Sequence, residues 1–256
     1  MAETQTGEEQ RQAVRREFSK QASNFERSTS LFRDGGILGW IAGHVEVPAG
    51  ARILDVAGGT GQLGRHLARD GATAVIVDLT DAMLAAGLGS VRDEGRDDVV
   101  FVRGDATDLP FPDDQFDVVV SRFALHHMDD PAAAVREMSR VCRPNGSVTL
   151  IDMVSGGPRH DELERLRDPS HTRALPEEEM REVFSTAGRA VRSEADWEQA
   201  IPVEPWFEQA ETPEEARAEV LSALEPEADG GPETGLRGSR ADGVLTITQR
   251  WLLLGG

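Results

Sequence analysis

The chain of 256 residues has no tyrosine, a single cysteine (Cys142) and a single lysine (Lys20). The missing phenols exclude a tyrosine general base. With only one lysine, Schiff-base chemistry is confined to Lys20, and the bias toward arginine fits codon usage. A lone cysteine excludes an intrachain disulfide and fits a reducing cytoplasm. Positive charge is also scarce: 46 acidic residues against 27 basic ones give a formal net charge of −19. That balance disfavours nucleic acid and anionic membrane as partners, since both are polyanions. Residues 1–12 are polar and lack the apolar core of a signal peptide, and no apolar run reaches membrane-span length. The expectation is a soluble cytoplasmic protein with a small-molecule partner, no nucleic acid, no membrane, and a homodimer left open.

What is present is enough for a core. The hydrophobic fraction is 39%, and the length suits one domain with additions. Apolar runs predict strands at 52–56, 74–78, 99–103, 116–121, 147–154, 190–195 and 244–253. Helical spacing predicts helices at 61–70, 80–90, 130–141, 176–187 and 212–224, with a stop and turn at 143–146. β–α alternation with mostly apolar strands gives an α/β fold: a three-layer, Rossmann-like, seven-stranded, mostly parallel sheet whose last strand is antiparallel. Residues 1–48 form an N-terminal helical lid segment. Within it, 12–28 is amphipathic (Val14, Phe18, Ala22, Phe25), 37–45 is a second helix, and Phe18, Phe25 and Phe32 are available to cover a ligand. Residues 49–256 make the main domain, interrupted by insertions at about 155–175 and 198–243. Residues 225–243, rich in Pro, Gly and acid, read as a loop.

The chain is organised around Leu54-Asp55-Val56-Ala57-Gly58-Gly59-Thr60-Gly61, an apolar run, an acid and a glycine turn before a helix. Strand, turn and helix offer backbone N–H groups and a positive helix end to a nucleotide-like ligand. Gly59-Thr60-Gly61-Gln62-Leu63-Gly64 also satisfies G-x-G-x-x-G, with Asp78 ending the next strand, so a dinucleotide oxidoreductase fits that motif alone. Four features point elsewhere. A carboxylate inside the first strand, Asp55, is costly to bury without a cation; the amino acid part of S-adenosylmethionine supplies one and a dinucleotide does not. Asp105 follows the third strand, where it can accept from an exocyclic amine. Residues 113–121 form a loop feeding the fourth strand, and a strand closes the chain.

In this order the motifs resemble those of class I S-adenosylmethionine-dependent methyltransferases over about residues 52–154, the first motif looking like that of the quinone-biosynthesis enzymes and their relatives. The resemblance implies S-adenosyl-L-methionine as cofactor. Asp55 and the backbone at Ala57, Gly59 and Gly61 would hold the methionine part, Asp78 the ribose hydroxyls, Leu79 and Met83 the adenine faces, Asp105 and Ala106 its edge, and Ser121 the methionine side again. No metal ligand set is assigned.

The loop Arg122-Phe123-Ala124-Leu125-His126-His127-Met128 leaves the fourth strand at the edge where ligands of parallel sheets bind. Asp152 leaves the fifth. The segment is similar to natural-product sugar O-methyltransferases, which implies His126 as base and Asp152 as its orienting acid, with His127 in reserve. The 155–175 insertion resembles the substrate-side insertion of that group. Arg159, His160, His171 and Arg173 could attract an anionic acceptor, and Trp197, Trp206 and Phe207 either line its mouth or belong to the core. The expected function is methyl transfer to a small molecule, a secondary metabolite or quinone-like compound, with oxygen preferred. C- or N-methylation, a dinucleotide oxidoreductase and a non-methylating cofactor binder remain alternatives.

Overall fold

The structure, a computed structural model, describes residues 7–26 and 35–256. Phe32 lies outside the described residues. In chain order the elements are α1 (Gly7–Phe25), α2 (Gly35–His44), β1 (Arg52–Val56), α3 (Gln62–Leu67), β2 (Thr73–Asp78), α4 (Asp81–Asp93), β3 (Val99–Arg103) and β4 (Phe116–Arg122). A short 3-10 turn, Leu125–His127, precedes α5 (Pro131–Val141) and β5 (Cys142–Met153). Then come α6 (Pro158–Arg167), α7 (Glu177–Thr186), β6 (Ser193–Pro202), α8 (Val203–Ala210), α9 (Glu214–Ala228), β7 (Ser239–Ala241) and β8 (Val244–Gly255).

One sheet runs β3-β2-β1-β4-β5-β8-β6, with β7 paired to β8. β1 to β5 are parallel, and β8 is antiparallel to β5 and β6 on either side. The period of two along each strand sends alternate side chains into two cores. Ile53, Trp251 and Leu253 pack under α2, α3, α6, α8 and α9, whereas Leu54, Leu252 and Leu254 pack under α5 and α7. This is the expected three-layer fold, and no described helix is long and apolar enough to cross a membrane.

Most departures from the sequence reading lie outside the β–α core, with one inside it. The stop at 143–146 is a bulge inside β5, whose pairing with β4 shifts register between Phe116 and Val118. β6 starts three residues later than expected and continues to Pro202, because its alternating polar and small side chains carry little apolar signal. The 155–175 insertion contains α6. The acidic segment 225–243 is partly regular: α9 runs to Ala228, and β7 forms a hairpin with β8 through Asp242-Gly243, both at positive φ (50° and 79°), as a two-residue hairpin turn requires.

α1 differs in kind. Its buried residues are mostly polar: Gln10, Glu17, Gln21 and Asn24, with Ala13 and Ala22. Val14, Phe18 and Phe25 instead line a cavity. The helix packs on α4 and α8 across the carboxyl ends of the strands, so the side facing the protein meets loops and polar groups rather than sheet.

Candidate active site

A cavity of about 440 Å³ opens at the carboxyl ends of the parallel strands. Of the residues expected to bind cofactor, Asp55, Ala57, Gly59, Asp78, Leu79, Met83, Asp105 and Ala106 line it. Gly61 and Ser121 do not. Gly61, at φ 76°, caps α3 from behind the turn, and the Ser121 hydroxyl donates to the Val56 carbonyl at 2.9 Å. Both therefore help to shape the turn without lining the cavity, where the sequence reading gave them to the methionine part.

The turn is built around two carboxylates. Asp55 is buried, and its Oδ2 accepts from Gly64 N–H at 2.8 Å. Asp78 accepts from Gly59 N–H at 2.9 Å and from Thr80 N–H at 2.8 Å. A Cβ on Gly58 would come within 2.7 Å of Asp55 Cγ, so the chain passes the carboxylate at a distance only glycine permits. Ala57 holds φ 52°, a left-handed conformation at some cost to a residue with a Cβ. Burial pushes the Asp55 carboxyl up to about 6, although the Gly64 N–H and the Arg122 cation pull it down. Burial likewise raises Asp78.

These residues fit an aminoacyl nucleoside. Asp55 Oδ1 is buried with no hydrogen-bond partner, an arrangement that costs free energy until a donor satisfies it. Asp105 is less open than expected. Its Oδ1 already accepts from Thr107 N–H and Oγ1–H, at 2.9 and 2.7 Å, and its Oδ2 faces Arg11 of α1 at 3.7 Å.

At the other end stand two adjacent histidines on the 3-10 turn. The structure brings His126 and Asp152 together, with Nδ1 to Oδ1 at 2.5 Å and both side chains buried. Asp152 also accepts from Leu125 N–H and Met153 N–H, each at 2.7 Å. Burial opposes the charge on His126, but Asp152 outweighs it and the imidazole is held above its ordinary value. Burial opposes Asp152 too, and His126 with the two N–H groups brings it below the usual carboxylate range. His127 is different. Burial, and then the neighbouring His126, press it far down, so it stays neutral.

The remaining wall is largely apolar: Phe18, Phe25, Phe123, Met153, Trp206 and Trp251. Of the three aromatics left undecided, Trp206 lines the cavity, Phe207 is core, and Trp197 packs against Trp40. The four residues of the 155–175 segment expected to attract an anion do not line the cavity, whereas Arg167 of the same segment does. Arg159 pairs with Glu162, Arg173 with Glu179 and His171 with Asp161, and His160 is buried beside Glu164. Sequence reasoning missed Arg122, Gln249 and Trp251, which line the cavity. For Arg122 the signal was available: it ends the fourth strand, beside the strand that carries Asp55. Among the described residues, no three His, Cys, Asp or Glu side chains are grouped to hold a metal.

Residues 54–150 match a family model described as a methyltransferase domain. The chain is 32% identical over 222 residues to the uncharacterized methyltransferase YcgJ of Bacillus subtilis, covering 85% of this chain and 87% of the relative. A crystal structure of YcgJ superposes with a TM-score of 0.76 at 28% identity, over 85% of this chain and 96% of that one. The ubiquinone/menaquinone biosynthesis C-methyltransferase UbiE of Shewanella frigidimarina is 35% identical over 144 residues, a match spanning 54% of this chain and 57% of the relative.

Proposed function

The chain belongs to the class I S-adenosylmethionine-dependent methyltransferases, and on that premise we propose that it methylates an oxygen of a small-molecule acceptor, with His126 as general base and Asp152 as its orienting acid. The observation that carries the finer part is the 2.5 Å bond between His126 Nδ1 and Asp152, set in the cavity wall. The cofactor, S-adenosylmethionine, supplies a methyl group already activated on a sulfonium, so the protein's task is to bind, align and take up a proton.

Asp55 would meet the cofactor's ammonium group, and its unpartnered Oδ1 supports that role. Asp78 would take the ribose hydroxyls, Leu79 and Met83 the adenine faces, and Asp105 and Ala106 the adenine edge. His126 receives the acceptor's proton on Nε2 while Asp152 keeps Nδ1–H fixed and stabilises the resulting imidazolium. α1 is the lid: Phe18 and Phe25 close the cavity against water, and Gln62 of α3 ties its end by donating to the Phe25 carbonyl. The buried lone cysteine fits a reducing cytoplasm.

Methylation of carbon is the second reading, favoured by the UbiE relatives, which are C-methyltransferases. The test is a panel of alcohols, phenols and carbon nucleophiles incubated with donor carrying a ¹³C-methyl group. An O-methyl carbon resonance is expected; a C-methyl resonance alone overturns the oxygen reading.

A further inference from the structure

His126 and His127 are neighbours in sequence, and their ring centroids lie 4.2 Å apart with the planes inclined by 46°. Each ring lines the cavity, and each is held from behind by a buried acid. For His126 the acid is Asp152, bonded directly. For His127 a serine intervenes. His127 Nδ1 is 3.0 Å from Ser170 Oγ, and Ser170 Oγ is 2.6 Å from Asp168 Oδ1.

The direction of this second relay follows from the inventory of donors. An ionised carboxylate only accepts, and a hydroxyl has one hydrogen to give. Ser170 therefore donates to Asp168 and must accept from His127, so the proton on His127 sits on Nδ1. Asp168 is secured as the acceptor by two more donors, Ser170 N–H at 2.9 Å and Gln21 Nε2 of α1 at 2.9 Å. Gln10 of α1 donates to the carbonyls of both His127 and Ser170, at 2.9 and 2.6 Å, and Phe18 meets the His127 ring edge-on at 4.9 Å. The His127 ring is thus fixed in tautomer and orientation, with its Nε2 lone pair left over.

In its base form His126 is in the same state, with Nδ1–H given to Asp152 and an Nε2 lone pair left over. Two imidazole acceptors stand side by side in one wall. We propose that His126 and His127 form an acceptor pair for a vicinal diol or ortho-dihydroxy compound, with one hydroxyl on each Nε2. This rests on the methyltransferase reading above. The hydroxyl on His126 gives its proton to that ring as its oxygen bonds to the methyl carbon, while the C–S bond electrons leave with sulfur. The hydroxyl on His127 keeps its proton, because that ring stays neutral and offers the substrate only the Nε2 lone pair. His127 is then a specificity residue that touches substrate, and Ser170 and Asp168 are positioning residues acting through it.

The test uses catechol, phenol and guaiacol as probes, titrated calorimetrically into protein already saturated with S-adenosylhomocysteine. Catechol is expected to bind about tenfold tighter than phenol or guaiacol, the scale of one added hydrogen bond inside a protein. His127→Phe keeps the ring shape without the acceptor and is expected to remove that preference. His127→Gln, which can place an oxygen near the Nε2 position, is expected to restore part of it, and this guards against mere misfolding of the first variant. Ser170→Ala is expected to free the tautomer, visible as a change in the ¹⁵N shifts of the His127 ring, and to raise the KM for a diol acceptor more than it lowers kcat. Equal affinity for catechol and guaiacol, no detectable catechol binding, or a preference that survives His127→Phe overturns the pair. If S-adenosylhomocysteine itself fails to bind, the methyltransferase reading falls instead, so the two failures are distinguishable.

Discussion

The two ends of the cavity are made differently. The glycine-turn end comes from a single stretch: β1, its turn, and the loops after β2 and β3 supply Asp55 through Thr107. Its contacts are carboxylates receiving backbone N–H groups, as when Gly64 and Gly59 bond Asp55 and Asp78. The histidine end is assembled from residues far apart in the chain. Gln10 of α1 reaches Ser170, 160 positions away, and Trp206 of α8 and Trp251 of β8 close the wall. Backbone geometry fixes the first end, and tertiary packing fixes the second. The difference teaches that the first can be shared widely among relatives of one fold, whereas the second can be rebuilt for a particular acceptor.

The largest effect is expected where the histidine end meets the chemistry. His126→Ala should lower kcat by about 10²–10⁴ while leaving S-adenosylhomocysteine affinity within about twofold, because a general base acts on the acceptor and not on the donor. In the parent enzyme kcat should fall as pH drops through a value above the ordinary histidine value of about 6.5, since Asp152 favours the protonated ring and only the neutral ring can take a proton. A pH–rate profile on parent and variant checks both parts. An unchanged kcat, or the same acid limb in His126→Ala, would remove the functional contrast between the two ends.

The glycine-turn end should show its own, smaller dependence. Burial sets the Asp55 carboxyl at about 6. Above that pH it is ionised and can meet an ammonium group; below it, each unit costs about tenfold in the ionised fraction. S-adenosylhomocysteine should therefore bind about tenfold more weakly at pH 5 than at pH 7.5, as read by calorimetry. Asp55→Asn should bind weakly at both. The same shift works on the fold with the opposite sign: the unfilled protein carries the cost of a buried Asp55 charge above about pH 6, and that cost disappears as pH falls toward the unfolded value near 4. A flat affinity between these two pH values would mean that Asp55 does not face the donor's cation.

How far each end was legible in the sequence follows the same division. Asp55, the glycines and Asp78 are local: a buried-looking acid before a glycine turn has few physical explanations, and neighbours in the chain are neighbours in space. Even there, Ser121 and Gly61 do not line the cavity, because sequence order cannot tell which groups at a strand end reach the open space. His126 and Asp152 could be paired because they end adjacent parallel strands. Ser170 and Asp168 could not be joined to His127, since that contact depends on how the insertion carrying α6 folds back over the 3-10 turn. α1 was legible on one side only. Its phenylalanines were read as available to cover a ligand, and Phe18 and Phe25 line the cavity, but its buried side is mainly polar, with Gln10, Gln21 and Asn24 hydrogen-bonding to groups outside the helix. Hydrophobic periodicity cannot reveal a face that is buried by polar contacts.

The smallest effect is expected at residues that charge alone would have put in the acceptor site. Arg159 and Arg173 lie in the inserted segment and looked suited to an anionic acceptor, but neither lines the cavity. Arg159 bonds Glu162 at 2.9 Å and Arg173 bonds Glu179 at 2.8 Å, all with substantial exposure to solvent. An exposed ion pair of this kind contributes about 0–1 kcal/mol, because water screens the charges and two long side chains lose freedom. Arg159→Ala and Arg173→Ala should thus leave thermal stability nearly unchanged and move the acceptor's KM by less than about twofold. A tenfold rise in KM from either would show that the acceptor extends out of the cavity onto the inserted segment. The histidine end would then have to be redrawn as a surface groove, with recognition by long-range charge added to the hydrogen bonds of the wall.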